Sequence, residues 1–256
     1  MLQSNYTARS GLIAQQQRID IIANNLANLN TVGYKSVRAD FKDALYQTMV
    51  RPLQPQDGLN LRRGHGVLLG ATTRDFVQGT GVQTGMPLDL MLDGDGYFTV
   101  QDPNGDEPLY TRDGSFAISV QEDGNYLVTG DGLYVLDTNG QPINLGGTAM
   151  SDLSIQANGS IWDENTNTQL GQLAISTFIN RQGLEAVAGN RFKATEASGE
   201  PIQSTAAVRQ GTLEASNVDL ATEMVRMIRA QRAFSLTARA LTTADEMDAG
   251  ANQIRR

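Results

Sequence analysis

A chain of 256 residues, 40% of them hydrophobic, is long enough for one or two domains with a sizeable core. Its net charge of −8 excludes non-specific nucleic-acid binding, which depends on neutralising phosphates, and an aromatic content of only 6% is lean for a large catalytic pocket. The absence of Cys excludes disulfides, thiolate zinc sites and cysteine nucleophiles.

The first thirty residues contain QQQR and several Asn but no apolar h-region, so no standard secretory signal is expected. No window approaches the ~18 apolar residues of a membrane span. Leu12, Ile19 and Leu26 lie seven apart, with Ala8, Gln15, Ile22 and Leu29 as the companion set, which predicts a heptad seam over about residues 2–30. The pattern also fits an amphipathic helix packed on its own domain. The stretch ANNLANLNTVGYK (23–35) closes it, and Ala23 to Leu29 is expected to be still helical. Asn28 and Asn30 are expected to bond the last-turn carbonyls, and Gly33 to take a positive φ.

Residues 47–66 (QTMVRPLQPQDGLNLRRGHG) hold two Pro and three Gly and read as extended. From about 76 to 211 the character changes to short β-rich runs broken by turn chemistry. Asp-Gly recurs at 113–114, 123–124 and 131–132, Asn-Gly at 139–140, and PNGDEP occupies 103–108. Strands are expected at 153–155, 160–163 and 170–179, within an antiparallel β domain.

The C-terminal segment repeats the heptad. Leu220, Met227, Phe234 and Leu241 lie seven apart, with Met224, Gln231 and Ala238 as the alternate set. Ser216 or Asn217 is the expected N-cap, with Asp219 and Glu223 in the first turn. Arg226, Arg229, Arg232 and Arg239 occupy exposed positions. Of the 20 basic residues only Lys35, Lys42 and Lys193 are Lys, and an Arg-rich surface suits protein interfaces. Two heptad helices at opposite ends of the chain are expected to pair with each other. The predicted fold is therefore α+β, with N- and C-terminal helices forming a coiled-coil-like layer and a central antiparallel β domain. An isolated seam of this length is marginal, so the termini are expected to order fully only in an assembly.

No constellation amounts to an active site. Asp89, Asp93 and Asp95 sit among glycines, but Tyr97 and Phe98 fall fifth and sixth from Asp93, where a calcium loop needs a ligand and a Gly. Turn chemistry explains them. The one His, His65 between Gly64 and Gly66, cannot build a zinc site alone and reads as a solvated loop residue. Gly79, Gly81 and Gly85 make no dinucleotide fingerprint. No catalytic, cofactor-binding or metal-binding residue is predicted, and no small-molecule substrate.

The segments ANNLANLNTVGYKSVRADFKDALYQ, QTGMPLDLMLDGDGYFTV, LYTRDGSF, ASGEPI and RQGTLEASNVDLATEMVRMIRAQRAFSLTARALTTADEM, in this order, resemble the flagellar basal-body rod and hook protein family. Within it, ADFKDALYQ and the RQGTLEASNVD…QRAF end are most similar to distal rod subunits, with proximal rod subunits as the alternative. The resemblance implies a helical tubular polymer, with residues 1–32 and 212–256 as its inner helical layer. It places 33–75 as an extended linker and part of the inner and middle layers, and 76–211 as the β-rich middle domain. It implies partners that are further copies of the chain, other rod and hook proteins and the flagellar export apparatus, with export without a cleaved signal peptide. Asn24 and Asn25, in mid-pattern, are then expected to bond neighbouring subunits, and the four α-helical arginines to pair with carboxylates on them.

Overall fold

The computed structural model describes residues 2–48, 62–103, 105, 107–121 and 124–254. Most of the extended 47–66 stretch, parts of the 103–108 turn cluster and Asp123 of the 123–124 turn lie outside the described residues. The chain divides into two compact units, one of Met1–Ala27, Val37–Asp75 and Val218–Arg256, the other of Asn28–Ser36 and Phe76–Asn217.

In the first unit, helices α1 (Leu2–Ala27) and α2 (Leu220–Ile254) pack against each other. They run antiparallel: Asn5 Nδ2 donates to Asp245 Oδ1 at 3.0 Å near one end, and Ile22 and Ala230 line one groove near the other. Between these points Gly11 faces Thr237, where an added Cβ would already be in van der Waals contact at 3.5 Å. The cap of α2 is Asp219, not Ser216 or Asn217. Its carboxylate accepts from the amides of Ala221 and Thr222 at 3.3 and 3.2 Å and from the Thr222 hydroxyl. The Thr222 hydroxyl and amide hold the Asp219 carboxyl below its ordinary range. Strands Val37–Asp43 and Val67–Arg74 pair antiparallel with a bulge at Asp40/Phe41 and pack on α1. Ser10 Oγ accepts from the Val67 amide, and the Arg18 guanidinium lies 5.1 Å from the centre of the Phe41 ring.

The second unit is antiparallel β. A nine-stranded sheet centres on Tyr97–Gln101, paired with Pro108–Thr111, Tyr134–Val135 and Ile175–Thr177. A three-stranded sheet, Leu153–Ile155, Ser160–Asp163 and Thr168–Gln172, occupies the span where strands are expected. Alternation along Tyr97–Gln101 separates two cores. Phe98 and Val100 join Leu127, Val135, Leu145 and Ile161 in the aliphatic core, while Tyr97 packs with Tyr110, Phe178 and Phe192. The aromatic rings meet edge-on, Tyr110 and Phe178 at 4.8 Å and Tyr97 and Phe192 at 5.6 Å.

Phe98 has no exposed surface. Phe98→Ala is expected to cost about 3–5 kcal/mol in urea unfolding of the β unit, and a loss below about 1 kcal/mol would mean that this strand is misplaced in the core.

Candidate functional site

The densest chemistry in the second unit is a buried charge cluster. Glu214, on the short strand Thr212–Glu214, is 1% exposed, as is Lys35, and Arg112 is 3% exposed. Lys35 Nζ donates to Glu214 Oε1 at 2.5 Å and to the Val77 carbonyl at 2.8 Å. Arg112 Nη1 donates to Glu214 Oε2 at 3.1 Å, and Nη2 to the Gly94 carbonyl at 2.6 Å. The Gly79 amide supplies a further donor to Glu214 Oε1 at 2.9 Å. A carboxylate buried in this way is stable only because cations and N–H groups replace its lost water.

The surroundings are built to the same end. Gly33 has φ +66° and donates its N–H to the Glu214 carbonyl at 2.8 Å. A Cβ there would lie 2.7 Å from the Arg112 carbonyl carbon, so backbone packs directly on backbone. Asn217 Oδ1 accepts from the Ser36 amide at 2.7 Å and its Nδ2 donates to Val77 at 3.0 Å, which ties the end of TVGYK to the approach to α2. Arg112 also lies 5.5 Å from the centre of the Tyr97 ring. Burial pushes the Tyr97 phenol up to about 12. Every oxygen of the Glu214 carboxylate has a donor, and the cluster holds segments together rather than presenting a reactive group.

The chain matches three families in sequence order: flagella basal body rod protein over residues 6–35, the flagellar hook protein FlgE/F/G D1 domain over 91–162, and the flagellar basal body rod FlgEFG protein C-terminal over 209–254. It is 40% identical to the flagellar basal-body rod protein FlgG of Borreliella burgdorferi, with all of both chains covered. It is 38% identical to FlgG of Bacillus subtilis over 96% of this chain and 97% of that one. It is also 30% identical to the flagellar hook-basal body complex protein FlhP of B. subtilis over the full length of both. The chain belongs to the flagellar basal-body rod protein family. Each matched segment of this rod-family protein carries one member of the cluster: Lys35 ends the first, Arg112 lies in the second and Glu214 in the third.

The helical residues of this rod-family chain divide into two sets. On α1, Ile22 is buried, and Leu12, Ile19 and Leu26 are half-buried. On α2, Met227, Phe234 and Leu241 are half-buried and alternate with Glu223, Ala230 and Thr237 in a regular 4–3 spacing. Met224, 51% exposed, and Gln231, also exposed, lie one helical position off this stripe, while Leu220, the first residue of α2, is in register with it yet stands 43% exposed. The small Ala230, 2% exposed, sits in the position that sequence spacing assigns to Gln231 because its size permits close approach of the helices. Leu29 is not helical. The helix ends at Ala27, and Asn28 begins a turn in which its carbonyl and side-chain oxygens accept from the Thr31 amide and hydroxyl. Leu29 belongs to the second unit, against a shallow groove with Val32 and Leu213.

Asn25 also departs from expectation. It is 2% exposed, and its amide group is engaged within the chain, donating to the Val37 carbonyl at 2.8 Å and accepting from the Val37 amide at 2.9 Å. This two-point bond imitates a strand pair and anchors the first residue of Val37–Asp43, which explains an Asn in the last turn of α1. Asn24 is exposed. Arg226 pairs with Glu223 at 2.6 Å, while Arg229, Arg232 and Arg239 are exposed and have no ion pair among the described residues. The acidic turns have structural partners: Asp95 pairs with Arg181 at 2.7 Å, and Asp113 accepts from the Ser115 amide and hydroxyl.

Lys35, Arg112 and Glu214 escape sequence reading because single charges in strand-like runs resemble solvated positions. The available signal is a charge set among apolar and small residues: Lys35 in TVGYK, Arg112 in LYTRDGSF and Glu214 in RQGTLEAS. Glu214→Ala leaves two cations buried together and is expected to destabilise the β unit by about 3–5 kcal/mol in urea unfolding. Recovery of most of that loss is expected when Lys35→Met and Arg112→Met accompany Glu214→Leu. For Tyr97 the raised pKa means the folded state holds its proton longer. The contribution is complete below the ordinary phenol pKa near 10 and is lost as pH rises from there through about 12. Ultraviolet titration should show a phenol ionising near 12 that is missing in Tyr97→Phe.

Proposed function

We propose that the protein is a structural subunit of the distal flagellar basal-body rod, self-assembling into a rigid helical tube that transmits torque to the hook. Full-length similarity to flagellar basal-body rod proteins carries the reading. The family is structural, and this subunit works without catalysis: its clustered carboxylates serve as turn caps and ion-pair partners. Copies of the chain and other rod and hook proteins are its partners, and the flagellar export apparatus delivers it without a cleaved signal peptide. Residues 1–32 and 212–256 supply the inner helical layer, 33–75 the linker and part of the inner and middle layers, and 76–211 the β-rich layer.

What supports self-assembly physically is the unfinished surface of α2. Leu220, Met224, Val225, Ile228 and Leu236 are 43–65% exposed, although α2 already has an apolar stripe turned to α1. Covering the exposed part of each side chain is worth about 1 kcal/mol, and a polymer covers them on every copy. Close-packed helices then resist bending because protein interiors compress little. Gln231, Arg232 and Arg239 flank this outer face and give register through polar contacts with neighbouring copies.

Concentrated wild-type protein is expected to form filaments with helical order in electron microscopy. Leu26→Asp and Met227→Asp should abolish them while the melting of the β unit stays unchanged. Met224→Asp separates the two faces, because Met224 is exposed in the single chain. It should block filaments without lowering helix content in circular dichroism. Filaments that survive Met224→Asp would sink the outer seam.

A further inference from the structure

The first unit carries a groove of about 520 Å³ that neither helix capping nor the strand pair explains. Its floor includes Ile22 and Ala230, both buried. Arg18, Arg38 and Arg229 stand around it, all exposed. Arg38 pairs at the surface with Asp40, at 3.2 Å, and Arg229 has no ion pair among the described residues. Glu223, 3% exposed, also lines the groove. Its Oε1 accepts from Arg226, and its Oε2 is buried without a hydrogen-bond partner among the described residues. An apolar floor beneath exposed guanidinium groups, with one unmet acceptor, fits a polypeptide surface that brings carboxylates and an N–H or O–H donor.

Charge distribution indicates which surface that is. The segments of the first unit contain 14 Lys and Arg against 10 Asp and Glu, whereas those of the second contain 6 against 18. The first unit is therefore net positive by 4 and the second net negative by 12. Copies that each carry −8 repel at long range, so a contact that sets opposite signs against each other is favoured over one that does not. A self-complementary contact would set Arg18, Arg38 and Arg229 against their own counterparts. A head-to-tail contact sets them against carboxylates, and only this kind propagates without closing.

We propose that this groove is the docking site for the acidic β-rich unit of a second copy of the chain, and that this contact propagates the polymer. The proposal rests on the rod reading and adds to it the place and chemistry of one contact. The test uses the full-length chain with Arg38→p-benzoylphenylalanine, irradiated after assembly, with cross-linked peptides identified by mass spectrometry. Cross-links to residues 76–217 of a second copy are expected. Cross-links only to residues 1–27 or 218–254 of a second copy, or filaments with no intermolecular cross-link, would overturn the groove while leaving the rod reading intact. Wild-type protein that forms no filament at any concentration would overturn both. Independently, Arg229→Glu should raise the concentration needed for assembly about tenfold. Salt raised from about 0.05 to 0.5 M should weaken wild-type assembly and affect the variant much less. Equal salt sensitivity of the two would count against the groove.

Discussion

A carboxylate removed from water sets the terms for the β-rich unit. Glu214 is buried between Lys35 and Arg112, and neither cation would be stable there without it. Its three partners come from positions 35, 79 and 112, so one side chain fixes segments far apart in sequence. Around it, Gly33 must be a glycine for backbone to meet backbone, and Asn217 bridges Ser36 and Val77. Ion pairs of this kind contribute little net stability compared with an apolar core of equal volume. Their effect is on specificity, since a misplaced strand leaves a bare charge in the interior.

The helical unit is organised by a different constraint, the close approach of two long helices. Gly11, Ala14 and Ala230 keep the interface narrow, and the larger Ile22, Phe234 and Leu241 fill it on either side. That arrangement uses only one stripe of α2. The remaining apolar side chains face outward, and the same helix carries exposed arginines, so the surface has both the area and the charge for further partners. In the first unit the exposed charges are mainly cationic, whereas the second is strongly acidic. Such polarity within one chain favours repeated head-to-tail contact over a closed dimer.

Much of this was legible in the residues. The heptads at both ends, the period-two runs and the Asp-Gly and Asn-Gly turns specify two terminal helices and an antiparallel β region, because these patterns are local and follow directly from helix and strand geometry. Gly33 was legible for the same reason, as a turn position with φ +66°. Asn25 was not: its role depends on Val37, twelve residues on, which is brought back by a turn whose geometry no periodicity reports. The cap moved from Asn217 to Asp219 because Asn217 is claimed by Ser36 and Val77.

The sequence by itself determined the element types, the family and the absence of cysteine chemistry, since each is written in local pattern or composition. Tertiary structure alone decided which face of α2 meets α1 and which charges are buried. Helical spacing leaves adjacent stripes equivalent until Ala230 and Gly11 permit close approach. A lone Lys35, Arg112 or Glu214 likewise reads as a surface charge until folding places all three within hydrogen-bond reach, where losing water makes them obligatory partners.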